Sequence, residues 1–261
     1  MTKPRSPRRL APARPLRLLL APLAAVTLLA LPLPAPAQDH DALVTTGNRL
    51  AALLRAGRAV VSANQDRIND ATVGDKGLTP DVFMDQVMAA YLETNGEPPL
   101  TDDLTDLQRR LTQAQLDAMR AVVAEQQQVI NMEGMGFKGF IPAVFARLVN
   151  ERFGETVGDL ANVKVTAPPD LVRNRTARPD AWEAEVIETR FGAADHEKGA
   201  PWFEVVDGAD FRMLIPEYYS ASCLSCHGGP AGEVDVTGFP KEGGTEGELG
   251  GAISIILHDA Q

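Results

Sequence analysis

The chain has 261 residues, 44% hydrophobic and 23% charged, a balance that excludes wholesale disorder and accommodates one or two domains. Two cysteines and four histidines (His40, His196, His227 and His258) exclude a disulfide-stapled scaffold and a multi-zinc protein. Residues 1–37 hold six cations and no acid, so the remainder carries 19 basic against 35 acidic residues, a net charge of −16. A body so acidic repels phosphate backbones and anionic lipid, which excludes nucleic acid as a partner.

The chain opens with Lys3, Arg5, Arg8, Arg9, Arg14 and Arg17, followed by an apolar stretch over Leu18–Leu33 and the small-x-small site Ala35-Pro36-Ala37. Basic head, short apolar middle and small-residue site are the three parts of a secretory signal. A membrane span needs about 20 apolar residues, and this run is shorter and interrupted by Pro22 and Pro32. Cleavage is therefore favoured over retention as an anchor. The expected mature protein starts near Gln38, spans no membrane after cleavage, and is periplasmic or secreted. Arg8-Arg9 stands too far from the apolar run to read as a twin-arginine signal.

Residues 38–158 are expected to form a duplicated helical region. At an offset of 62 residues, positions 52–96 align without gaps on positions 114–158, with 20 identities in 45. The shared residues include Gly74/Gly136, Lys76/Lys138, Gly77/Gly139, Pro80/Pro142, Phe83/Phe145 and Gly96/Gly158. Each copy reads as helix, turn, helix. A first helix over about Thr45–Asn69 carries Leu50, Leu53, Leu54, Val60, Val61 and Ile68 at helical spacing. A G-x-K-G turn breaks it, and a proline suited to a first helical turn starts the second. Two copies are too few for a solenoid and predict a packed helical bundle.

Residues 159–261 change character. Arg173, Arg175 and Arg178 cluster in this acidic chain. Trp182–Phe191 reads as a short helix or strand. Trp202–Val206 and Phe211–Ile215 flank Asp207-Gly208-Ala209-Asp210 and predict a hairpin. Gly228–Gly247 is a glycine-rich loop, and Gly250–Leu257 reads as a buried final strand.

Both cysteines fall in Cys223-Leu224-Ser225-Cys226-His227. C-x-x-C-H is the attachment signal for c-type haem: the thiols add to the two vinyl groups, and the adjacent histidine becomes the proximal iron ligand. Three other uses of the cysteines are weaker. A structural disulfide does not require the histidine. A redox-active C-x-x-C belongs in a thioredoxin-like βαβ setting, and this segment follows strands. A zinc site needs about four ligands, and no cysteine remains. One covalent haem c is the expected cofactor, with Cys223 and Cys226 as thioethers and His227 as proximal ligand. Export adds weight, because this haem is attached outside the cytoplasm.

At these residues the sequence resembles the PAS-like single-haem c-type cytochrome domain family, which also supplies extracytoplasmic input modules of histidine kinases and chemoreceptors. The resemblance is carried by Arg173-Asn174…Arg178-Pro179-Asp180-Ala181-Trp182-Glu183, by Pro216-Glu217-Tyr218-Tyr219…Cys223-Leu224-Ser225-Cys226-His227-Gly228, and by Leu249-Gly250-Gly251-Ala252-Ile253-Ser254. It covers about Lys164 to the C-terminus, with the second repeat supplying the family's N-terminal helix. It implies an α+β fold in which a PAS-like antiparallel sheet carries the haem, preceded here by the duplicated helix-turn-helix region. Some relatives use a cysteine on that helix as the second axial ligand, and this chain has none to spare. The sixth-ligand candidates are Met132, Met135, Met213, His196 and His258, with none singled out. Arg173, Arg175 and Arg178 are candidates to pair with the haem propionates, since guanidinium forks suit carboxylates.

The expected function is an exported monohaem cytochrome that passes single electrons to a redox partner protein in the periplasm. The alternative is a haem-based redox or gas sensor that acts through a separate signalling protein. A catalyst ranks last, because no distal acid/base pair nominates itself.

Overall fold

The computed structural model describes residues 40–206 and 210–258. Residues 1–37, with the secretory signal read there, lie outside the described residues, as do most of the Asp207–Asp210 turn and the last three residues. The first repeat forms helices α1 (His40–Ala63), α2 (Gln65–Asn69) and α3 (Pro80–Asn95), and the second forms α4 (Asp106–Glu125), α5 (Gln127–Ile130) and α6 (Pro142–Val157). The first helix of each copy is thus broken near its end, at Asn64 and at Gln126, where a continuous helix was expected.

The two copies clasp each other with equivalent residues. Gln65 Nε2 donates to the Phe140 carbonyl at 2.9 Å, and Gln127 Nε2 donates to the Leu78 carbonyl at 3.0 Å. The Lys76 amide donates to Asn131 Oδ1 at 2.9 Å, and the Lys138 amide donates to Asn69 Oδ1 at 3.1 Å. Each pair is the 62-residue image of the other, so the turns are related by an approximate two-fold. In the G-x-K-G turns, Gly77 and Gly139 take the left-handed conformation (φ 59° and 72°) that glycine adopts without steric cost. The symmetry ends where the copies must exit differently. Gly96 caps α3 in the left-handed region, whereas Gly158 stays right-handed and leads into the sheet.

The sheet contains β1 (Ala161–Thr166), β2 (Trp202–Val206), β3 (Asp210–Tyr218) and β4 (Leu249–Leu257), in the order β1-β4-β3-β2 with every pairing antiparallel. Strand alternation divides its residues. Phe211, Met213, Ile215, Ile253, Ile255 and Leu257 join the helical core beside Leu50, Phe83, Phe145 and Phe153. On the opposite face Leu214 and Ala252 pack with Val186 and Ile187, edged by Trp182, Phe191, Trp202 and Leu249. The protein is therefore an α+β fold with a helical layer on one face of the sheet.

The Trp182–Phe191 segment is helical. Asp180 and Glu183 form a capping box at the start of α7 (Ala181–Glu185), which runs into a π-turn over Val186–Arg190. Strand β1 has no counterpart among the predicted elements. Among the described residues no helix is long and apolar enough to cross a membrane.

Candidate functional site

Strand β3 delivers the C-x-x-C-H segment. Its end is tied to the start of β4 by the Tyr219 amide on the Glu248 carbonyl and the Gly247 amide on the Tyr219 carbonyl, at 2.9 and 2.8 Å. A 3-10 turn over Ala221–Cys223 continues into α8 (Leu224–His227). Cys223, Cys226 and His227 therefore share a single short helical passage. Both thiols are free and half-buried, with Ser220 Oγ 3.3 Å from Cys223 Sγ. The passage closes at Gly228, whose amide bonds the Leu224 carbonyl; a Cβ there would lie 2.5 Å from that oxygen.

The glycine-rich loop then folds back over the histidine. The Gly243 amide bonds the Gly228 carbonyl and the Gly244 amide bonds the His227 carbonyl, at 3.1 and 2.8 Å. This return sets Glu242 Oε2 2.9 Å from His227 Nδ1. On its other side the imidazole stacks on Tyr219, with ring centroids 5.3 Å apart and planes 20° from parallel. The approach at Gly244 requires glycine, because a Cβ would meet the Tyr219 ring at 2.6 Å. The Tyr219 hydroxyl is buried without a hydrogen-bond partner. Burial, reinforced by the charge of Glu242, pushes its pKa up to about 12.

Arg173 locks this arrangement. Its Nε and Nη2 donate to the two oxygens of Glu242 at 2.8 and 3.0 Å, its Nη1 to Asp235 at 2.6 Å, and its Nη2 also to the Cys226 carbonyl at 2.9 Å. Burial opposes ionisation of Glu242, but Arg173 and His227 outweigh it and hold the carboxyl below its ordinary range. Arg173, a candidate to pair with haem propionates, has its guanidinium engaged within the protein. Its fork is filled by two carboxylates of the protein and a main-chain carbonyl. Arg175 and Arg178 are exposed, and among the described residues their side chains show no hydrogen bond or ion pair.

The five sixth-ligand candidates are scattered. Met213 is fully buried on the helix-facing side of the sheet, its sulfur 2.5 Å from where a Cβ on Gly47 would lie. Met132 and Met135 belong to the turn that meets the first repeat, where the Gly134 amide bonds the Ala71 carbonyl. His258 has both ring nitrogens engaged, Nδ1 by Asp210 at 3.1 Å and Nε2 by Asn162 at 2.7 Å. His196 packs against Phe191 with the two rings tilted by 43°, and its Nε2 is buried without a partner. The loop that carries His196 also reaches the motif's surroundings, through Lys198 Nζ on the Gly247 carbonyl at 2.8 Å. Among the described residues no three His, Cys, Asp or Glu side chains gather as a metal-holding cluster.

The residues that fit a haem are those of the motif. Two thiols three positions apart on one turn can face the same side of a planar ring. His227, its Nδ1 engaged by Glu242, would have Nε2 left to hold the iron. Sequence reasoning missed Glu242, Asp235 and the stacking role of Tyr219. No local pattern marks the two carboxylates, which reach the site only through the loop's return.

Among curated proteins none matches the chain. A crystal structure of the cyanobacterial heme-protein Tll0287 matches 58% of this chain and 90% of its own, at 15% identity and a TM-score of 0.36. A family model described as Tll0287-like matches residues 100–257, a segment that holds the second repeat, the sheet and the C-x-x-C-H passage. The chain belongs to the Tll0287-like family.

Proposed function

We propose that this protein is an exported monohaem c-type cytochrome that passes single electrons in the periplasm. Its haem is held through Cys223 and Cys226 and ligated by His227. One observation carries the reading: two free thiols and a histidine oriented through Nδ1 occupy one helical passage, with Nε2 left for iron. Membership of a family named for a haem protein supports it. Each thiol would add across one vinyl group, sulfur to one carbon and hydrogen to its neighbour, with nothing released. The bound group supplies a one-electron iron couple. The protein's own residues do the rest. Tyr219 shields one side of the imidazole, Arg173 fixes the motif against the loop, and the acidic surface suits a basic redox partner. The sheet with α7 across its far face is read as PAS-like, over a haem domain at residues 159–261.

A second reading, a haem-based redox or gas sensor working through a separate signalling protein, is favoured by the engagement of Met213 and His258 elsewhere. One experiment separates the two. The protein is produced with a c-type maturation system, and its visible spectrum is recorded oxidised, dithionite-reduced, and reduced under carbon monoxide. Sharp reduced bands that carbon monoxide leaves unmoved support the electron carrier. A broad reduced spectrum that sharpens and shifts with carbon monoxide puts the sensor first. A protein without covalent haem overturns both.

A further inference from the structure

We infer that Glu242 is a positioning residue that sets the electron affinity of the site by accepting the His227 Nδ1 hydrogen bond, with Arg173 holding the carboxylate in place. The inference rests on the proposal that His227 ligates haem iron. An imidazole that ligates through Nε2 carries its proton on Nδ1, and the acceptor of that proton governs how strongly the ring donates to the metal. A carboxylate is a stronger acceptor than a main-chain carbonyl or a neutral amide. It raises ligand basicity and so favours ferric over ferrous iron.

The placement of Glu242 is built in. Its main-chain neighbours are pinned by the Gly243–Gly228 and Gly244–His227 bonds, and both its oxygens are gripped by the Arg173 fork. The same guanidinium bonds the Cys226 carbonyl, so loop and motif cannot shift independently. Oε2, the oxygen that faces His227, also accepts from Arg173 Nη2, which orients it toward the ring.

The test is spectroelectrochemical titration of the haem-loaded full chain and three variants. Glu242→Gln leaves a weaker, neutral acceptor. Glu242→Asp keeps the charge but withdraws it by one methylene. Glu233→Gln removes an equal charge from the same loop, at a residue whose carboxylate pairs with Lys241 at 2.8 Å rather than with the histidine. At the parent's midpoint potential, the ferrous-to-ferric ratio of Glu242→Gln is expected to rise about tenfold, a positive shift of about 59 mV. Glu242→Asp is expected to move in the same direction, and Glu233→Gln by less than half as much. The inference falls if Glu242→Gln titrates with the parent, or if Glu242→Asp matches the parent while Glu242→Gln shifts, since charge alone then explains the effect. Should Glu242→Gln not load haem, Glu242→Asp alone decides by the same criterion. A parent chain with no pyridine haemochrome overturns the cytochrome reading itself, an outcome distinct from a loaded parent whose variants do not shift.

Discussion

Asp235 accepts hydrogen bonds from the Thr237 amide and hydroxyl and from the Phe239 amide, and it pairs with Arg173. Its own role is to fix the loop that returns Glu242 to His227. Burial works to raise its carboxyl pKa, but these donors prevail and hold it well below the usual carboxylate range. The folded value is thus depressed. The stability it contributes is complete above the ordinary value of about 3.9 and is lost as pH falls below that toward the folded value. Asp235→Asn is expected to lower unfolding free energy by about 2 kcal/mol near neutral pH. Urea midpoints of variant and parent should converge below about pH 4; a gap that stays constant down to about pH 2 contradicts this account. The site divides along the same line in its legibility. Cys223, Cys226 and His227 are readable because their chemistry depends on adjacency in the chain. Arg173 and Glu242 stand 69 residues apart, and only the folded path of the glycine-rich loop brings them together.

At the level of elements, the duplication is the most legible feature, and the structure gives its identities a physical meaning. Gln65, Asn69 and Lys76 recur as Gln127, Asn131 and Lys138 because each bonds across to the other copy or closes its own turn. The lysines are buried cations held by main-chain carbonyls: Lys76 by Asp70 and Val73, Lys138 by Ile68 and Met135. Burial and the charge of Lys76 lower the Lys138 pKa. Lys76→Met or Lys138→Met strips partners from two carbonyls and is expected to cost about 2 kcal/mol. The double variant should cost more than the sum, because each single change already relieves the repulsion between the two cations and the double relieves it only once. Strict additivity in chemical denaturation rules that coupling out.

Where the copies differ, packing explains it. Gly57 occupies the position that Met119 holds in the second copy, and a Cβ on Gly57 would lie 2.7 Å from the Phe145 ring and 3.2 Å from the Met119 sulfur. One large and one small residue meet where two large ones cannot. Gly57→Ala gains up to about 1 kcal/mol of helix propensity but overpacks this contact by about 1–3 kcal/mol, so a net loss of thermal stability is expected. An unchanged or raised Tm refutes the tight crossing. Strand β1 was illegible for a different reason. Its six residues alternate only weakly, and its partner β4 lies some 90 residues on, so pairing rather than pattern defines it.

For the molecule as a whole, the helices and the sheet share one core, so the change of character near residue 159 seen in the sequence does not divide the packing. Helix α1 lies against β3 and β4 as well as α3, α4 and α6. Gly47 gives it room to approach the Met213 side chain. Arg55 and Arg58 of the same helix both pair with Glu217, two residues before the tyrosine that stacks on His227. These ion pairs are partly exposed and contribute about 1 kcal/mol or less each; the apolar core dominates the coupling. A shared core predicts a single cooperative transition. Two observables test it from opposite sides of the molecule. Far-ultraviolet circular dichroism is dominated by α1–α6. Tryptophan fluorescence reports only Trp182 and Trp202, both on the far face of the sheet. Their urea midpoints should coincide. Leu54→Ala, buried among the helices, should lower both together by an amount corresponding to about 2–5 kcal/mol. If the fluorescence midpoint holds while the dichroism midpoint falls, the sheet stands without the repeats, and α1 is no part of what keeps the C-x-x-C-H passage in place.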